Sequence, residues 1–271
     1  MTERVKTGIP GLDSMLNGGF LQGDTVVVAG SAGTGKTTFC LQYLVNGIIE
    51  SNEKGIFVSF EQLPEQVYRD ALNFGWDLKK LEDENKFRFV CTSPTLLLGT
   101  DSGEQILDEL ISEFRPKRIA IDSLSHFEMF VENSALREEL YRLIMYLKTK
   151  HLSSVLTWET SNNTLLPGND LSNEQLSFLV DCIILMRHVE IESSIKKVLL
   201  VLKMRGSNHD KQIREYAVTS NGIKVLPAIR GYEGVMSGAP RKSIMESASS
   251  GFEKAFSNIK DESSGKSSKG A

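Results

Sequence analysis

The stretch Thr25-Val-Val-Val-Ala-Gly30-Ser-Ala-Gly33-Thr34-Gly35-Lys36-Thr37-Thr38 carries the spacing G-x-x-x-x-G-K-[ST]. A β-branched apolar run (Val26, Val27, Val28) precedes the spacing, and apolar residues at helical intervals (Phe39, Leu41, Leu44, Val45, Ile48) follow it. The segment therefore reads as a strand-to-helix turn. In such a turn glycines let successive backbone N–H groups curl around an anion, while the helix presents its positive dipole end to it. Gly30, Ser31, Ala32, Gly33, Thr34, Gly35, Lys36, Thr37 and Thr38 are thus candidate nucleotide-binding residues. Lys36 is the cation expected to reach the β- and γ-phosphates of ATP, and the Thr37 hydroxyl the expected ligand of Mg²⁺.

Outward from this turn, apolar runs at 55–60, 87–90, 118–121, 154–157, 182–186 and 198–204 read as strands, several without polar alternation, as suits a sheet covered on both faces. Helical patterns lie between them, notably at 104–114 and 136–150. The alternation predicts an α/β fold with a largely parallel central sheet and helices on both faces. Segments 215–218 and 222–225, separated by Thr219-Ser-Asn221, read as a C-terminal β-hairpin added after the main core. The globular domain is expected to occupy 1–236. From Ser237 the composition turns to Ser, Lys and Gly, and 237–271 reads as a flexible tail. Within it Ile244, Ala248, Phe252, Ala255, Phe256 and Ile259 fall close to helical spacing, so 243–260 is either a short amphipathic helix or unstructured chain.

The run Arg118-Ile-Ala-Ile-Asp122 is an apolar strand ending in an acid, which a nucleotide site needs on the far side of its cation. Asp122 is therefore the second candidate metal-holding residue. Hydrolysis also requires a group that orients or deprotonates water. Glu61, just after the run 55–60, is the candidate base, although Glu61-Gln-Leu-Pro-Glu65 equally reads as a solvated helix start.

Composition bounds the alternatives. A chain of 271 residues fits one large α/β domain with appendages. No apolar run approaches the roughly 18 residues of a membrane span, and the start lacks a signal-peptide core, so a cytoplasmic protein is expected. Cys40, Cys91 and Cys182 lie among apolar neighbours and read as reduced core thiols; the four histidines lack zinc-type spacing. The formal net charge of −4 gives no global reason to bind nucleic acid.

Together these motifs resemble the RecA-like ATPase superfamily and, more closely, the circadian clock ATPase KaiC and its single-domain relatives. The likeness spans nearly all of 6–242. Its marks are Thr7-Gly-Ile-Pro-Gly-Leu-Asp13 and Gly18-Gly19, the phosphate loop, Phe60-Glu61, 118–123, 178–186, Lys203-Met-Arg-Gly-Ser207, His209-Asp-Lys211 and Gly238-Ala-Pro240. The resemblance implies a RecA-like P-loop fold and ATP hydrolysis with Mg²⁺. It makes Glu61 the first of two adjacent catalytic glutamates, with Gln62 in the second place. Lys203 and Arg205 match cations that reach across a subunit boundary toward the γ-phosphate, and a homohexameric ring follows. KaiC carries two such domains and this chain one. The phosphorylated pair of the clock protein maps to Ser177 and Phe178, so one hydroxyl is kept and one lost. Ser177 then reads as a capping or buried serine, with a single phosphoserine as the alternative.

The implied function is an ATP-driven regulatory switch acting on a protein partner, and the apolar stripe from Ile244 to Ile259 is expected to dock a partner or a neighbouring subunit. The rival is a RecA- or RadA-type DNA-binding ATPase. The segments such a ring turns into its channel, 123–136 and 161–177, contain no Lys or Arg, which argues against DNA because basic side chains supply most nonspecific affinity.

Overall fold

The computed structural model describes residues 3–98, 103–131, 133–160, 178–237 and 240–242. Ser177, the segment 161–177 and the tail helix expected at 243–260 lie outside the described residues. A two-stranded antiparallel ribbon, β1 (Arg4–Val5) with β2 (Phe20–Leu21), encloses the short helix α1 (Leu12–Met15). β3 (Thr25–Gly30) enters the main sheet, α2 (Lys36–Ser51) crosses it, and β4 (Gly55–Ser59) returns. Helices α3 (Pro64–Leu72) and α4 (Leu78–Asp83) lead to β5 (Phe87–Cys91), and α5 (Pro94–Leu98) and α6 (Gly103–Phe114) to β6 (Arg118–Asp122). A 3-10 turn (Leu124–His126), α7 (Phe127–Phe130) and α8 (Asn133–Thr149) precede β7 (Ser153–Glu159). Then come β8 (Cys182–Ile191), β9 (Ser194–Met204), β10 (Arg214–Thr219) and β11 (Gly222–Ala228), and lastly the small pair β12 (Tyr232–Glu233) and β13 (Arg241–Lys242).

Among the described residues the main sheet has nine strands, in the order β11-β10-β9-β8-β3-β7-β6-β4-β5. From β8 to β5 every pairing is parallel, and β9, β10 and β11 continue the sheet antiparallel. The late hairpin is thus part of the main sheet.

Side-chain alternation along the buried strands divides the core in two. Val26 and Val28 of β3 pack with α2, while Val27 and Ala29 pack with α6 and α8 on the opposite face. Both faces are therefore covered by helices, which is why these strands read as unbroken apolar runs. Among the described strands β5 has only β4 beside it, and Cys91 at its end is exposed, so the expectation of a core thiol there is corrected; Cys40 and Cys182 are buried. No described helix is long and apolar enough to cross a membrane.

One buried polar contact fixes α2 over the sheet. The Arg118 side chain, 2% exposed, pairs with Glu53, donates to the Lys6 and Tyr43 carbonyls, and lies over the Tyr43 ring at 4.6 Å. Gly47 of α2 leaves the room: a Cβ there would stand 2.3 Å from Arg118 Nε.

Candidate functional site

Strand β3 and helix α2 deliver the loop between them to the C-terminal edge of the parallel strands, where ligands of open α/β sheets bind. Gly33 and Gly35 adopt φ of +76° and +97°, a region that disfavours side chains. Gly30 serves otherwise: its φ is not positive, but a Cβ there would meet the Met186 carbonyl oxygen at 2.4 Å. Gly35 caps α2 without a side-chain hydrogen bond, so the helix's first N–H groups have no partner from the cap. Ala32 and Gly33 are exposed; Ser31, Gly35, Thr37 and Thr38 are half-buried; Thr34 is buried, its hydroxyl donating to the Ser31 carbonyl at 2.8 Å.

Lys36 is folded across this loop, its ammonium donating to the carbonyls of Gly30 (2.8 Å) and Ser31 (2.9 Å). Burial pushes its pKa down, against the pull of Glu159, Asp122 and Glu61. The Thr37 hydroxyl donates to Asp122 Oδ2 at 2.5 Å, and Thr157 on β7 donates to Asp122 Oδ1 at 2.5 Å. Thr37 and Asp122, separate in sequence, thus meet. They form an all-oxygen donor set, the chemistry that a hard, hydrated cation such as Mg²⁺ takes. Among the described residues no group of three or more His, Cys, Asp or Glu side chains is arranged to hold a metal ion. A cation here would therefore complete its shell mainly with phosphate oxygens and water.

Glu61 follows β4 on the same sheet edge. Ser59 Oγ accepts the N–H groups of Gln62 (2.9 Å) and Glu61 (3.4 Å), and α3 starts at Pro64, so the helix-start reading of this segment holds as well. The Glu61 side chain is 72% exposed and faces His126. Lys203 and Arg205 lie elsewhere. Met204 pairs with Cys182, which is level with Val26 on β3, whereas the loop begins after Gly30. At about 3.3 Å per residue this offset is about 13 Å along the strands. Lys203 donates to the Val180 carbonyl (2.8 Å) and Arg205 to that of Phe178 (2.6 Å), with Asp181 3.9 Å from Arg205.

The sheet also brings in residues that carried no sequence signal. Lys197 of β9 donates to the Gly33 carbonyl (2.9 Å), and the buried Tyr216 hydroxyl of β10 donates to the Thr34 carbonyl (2.6 Å). His188 stands near Gly33, its pKa lowered by burial and by Lys197 and Lys36. Thr157, on an otherwise apolar strand, could have been suspected only as a polar break in that run.

A family model describing the ATPase KaiC matches residues 5–230. The circadian clock oscillator protein KaiC of Nostoc sp. is 35% identical over 246 residues, 90% of this chain and 47% of the relative. KaiC of Synechococcus elongatus is 31% identical, over 91% of this chain and 47% of the relative. The chain thus spans about half the length of these curated relatives. The crystal structure of a KaiC-like protein from Pyrococcus horikoshii superposes with a TM-score of 0.74 at 31% identity, over 84% of this chain and all of that one. The matched span takes in the loop, both acidic candidates and the two cations at the end of β9, and the solved relative is covered from end to end. The chain therefore belongs to the KaiC family, as an ATP-binding domain of it.

Proposed function

We propose that the chain is a Mg²⁺-dependent ATPase whose active sites form between neighbouring subunits of a ring, a homohexamer, and that hydrolysis switches the ring between states read by a protein partner. The observation that carries this reading is the division of the candidate groups between two edges of one sheet. Lys36, Thr37, Asp122 and Glu61 occupy the C-terminal edge of the parallel strands, while Lys203 and Arg205 sit about 13 Å back along the strand register. A subunit cannot bring those cations to its own phosphates, but a head-to-tail neighbour can.

In this reading the loop N–H groups and Lys36 bind the β- and γ-phosphates. Thr37 and Asp122 would hold Mg²⁺, whose charge would offset that developing on the phosphates. Glu61 takes a proton from water as the water oxygen bonds to the γ-phosphorus and the bond to the bridging oxygen of ADP breaks. Lys203 and Arg205 of the neighbour stabilise the transferring phosphoryl group, an effect typically worth about 10³ to 10⁵ in rate. The regulatory role is supported by the clock proteins among the relatives. The globular domain, expected to end at 236, would run on through the pairing of β12 with β13 to about residue 242, leaving the chain after it to dock a partner. A single phosphoserine at Ser177 would be an additional output, detectable by mass spectrometry after incubation with Mg-ATP. The test of the core reading is phosphate release together with native mass, each with and without ATP. Turnover and a ring mass support it. Turnover no greater than that of Lys36→Ala overturns it.

A further inference from the structure

Of Lys36, Thr37, Asp122 and Glu61, Glu61 is the exposed one. Among the described residues, the one basic side chain within ion-pair distance of its carboxylate is His126, whose Nε2 lies 3.7 Å from Glu61 Oε2. His126 is far more constrained. It closes the 3-10 turn after β6, where the Ser123 carbonyl accepts its N–H (3.2 Å) and Ser123 Oγ accepts that of Ser125 (3.2 Å). Ser125 Oγ in turn accepts the Glu159 N–H (2.7 Å), pinning the turn to the end of β7. Phe127, fully buried, meets Phe60 edge-on at 5.3 Å, which locks the residue before Glu61 against the residue after His126.

The ring's other nitrogen decides its tautomer. His126 Nδ1 is buried and, among the described residues, has no hydrogen-bond partner. A buried N–H without an acceptor costs more than a bare ring nitrogen, whose lone pair is the weaker loss, so in the neutral ring the proton belongs on Nε2. Nε2 lies 3.7 Å from the Glu61 carboxylate, just beyond hydrogen-bond reach, a gap of the kind that catalytic sites close when substrate binds.

We propose that His126 is a positioning residue for Glu61: its Nε2–H donates to one carboxylate oxygen and leaves the other free to take the proton of the attacking water. The inference rests on the reading of Glu61 as the base, and deepens it. A carboxylate free to sample many rotamers is seldom aimed at the water, and a single donor on a rigid turn restores that aim.

Steady-state ATP hydrolysis by the full chain is measured for His126→Phe, His126→Gln, Glu61→Gln and the double variant His126→Phe/Glu61→Gln, with thermal unfolding of each as a check on the fold. Phe keeps a ring against Phe60 but has no donor, whereas the Gln amide offers an N–H near the Nε2 position and lacks the ring. His126→Phe should lower kcat by about 10- to 100-fold with KM little changed. His126→Gln should recover most of that loss, and His126→Phe should have no further effect once Glu61 is Gln. A merely structural histidine predicts the reverse order, Phe tolerated and Gln impaired. That order, or a full additional loss from His126→Phe in the Glu61→Gln background, overturns the proposal. Wild-type turnover in Glu61→Gln alone instead removes the base reading itself, so the two failures are distinct.

Discussion

Two ionisable side chains show what the fold asks of single residues. Lys36 is buried, and among the described residues two carbonyl groups accept from its ammonium while Glu159, Asp122 and Glu61 oppose the lowering of its pKa by burial. An arriving triphosphate supplies the missing opposite charge, and charge-assisted hydrogen bonds are worth about 1.5–3 kcal/mol each. Lys36→Ala should therefore weaken ATP binding by at least about 10-fold, with hydrolysis abolished; an unchanged dissociation constant in a calorimetric titration would remove Lys36 from the site. Asp24 sits at the other end of β3, where burial and the nearby Asp181 push its pKa up from 3.8 to about 6. Between those values the native state holds more protons than the unfolded state, so stability falls as pH rises and the penalty is complete above about pH 6. Asp24→Asn keeps an acceptor for the Leu21 N–H and discards the charge. It should raise Tm by about 2–4 °C near pH 7.5 and change it little near pH 4, a contrast that calorimetry at the two pH values would measure. A gain that is equal at both, or larger in acid, would contradict the assigned cause.

At the scale of elements, the contact between α2 and β6 sets two familiar effects against each other. An exposed helical Gly→Ala change gains about 1 kcal/mol. At Gly47 the new methyl would meet Arg118 Nε, Cδ and Cζ at 2.3–2.5 Å, and that side chain is held by Glu53, two backbone carbonyls and the Tyr43 ring. Displacing a paired buried cation costs about 3–5 kcal/mol, so Gly47→Ala should be net destabilising by about 2–4 kcal/mol in denaturant unfolding. Glycine's place in the middle of this helix is thus explained by a strand residue 71 positions later. The same non-locality limits what could be read from the chain. Strands β3, β4, β6 and β7 were legible because both of their faces are buried, and the phosphate loop and Asp122 because their chemistry fixes local spacing. The hairpin of β8 and β9 runs past the expected 186 and 198, to Ile191 and from Ser194. There Arg187, His188 and Glu190 interrupt the apolar run, and Glu192 and Ser193 turn the chain with φ of +51° and +59° but no glycine to announce it. Thr157, Lys197, Tyr216 and His126 escaped notice because the fold, and no sequence spacing, brings Lys197 and Tyr216 to the loop, Thr157 to Asp122 and His126 to Glu61.

For the whole molecule, the decisive feature is direction. The strand register sets the loop and Asp122 toward one edge of the sheet and the end of β9 toward the other, so a repeat of the chain by head-to-tail rotation would bring Lys203 and Arg205 of one copy to the loop of the next. Each subunit would then contribute a half-site to each of its two neighbours. A variant lacking the loop cation and a variant lacking the finger fail for complementary reasons. Lys36→Ala keeps its Arg205, and Arg205→Ala keeps its loop. Each alone should be inactive or nearly so, with Arg205→Ala reducing turnover by about 10³-fold or more. Mixed at equal concentration under conditions where subunits exchange, an intact loop should face an intact finger at roughly a quarter of the interfaces. Phosphate release should then rise to about that fraction of wild type, and should do so only after exchange has had time to occur. Two variants whose defects lay within a single self-contained site would show no recovery at any mixing ratio, and that result would exclude the shared site even if each variant still assembled.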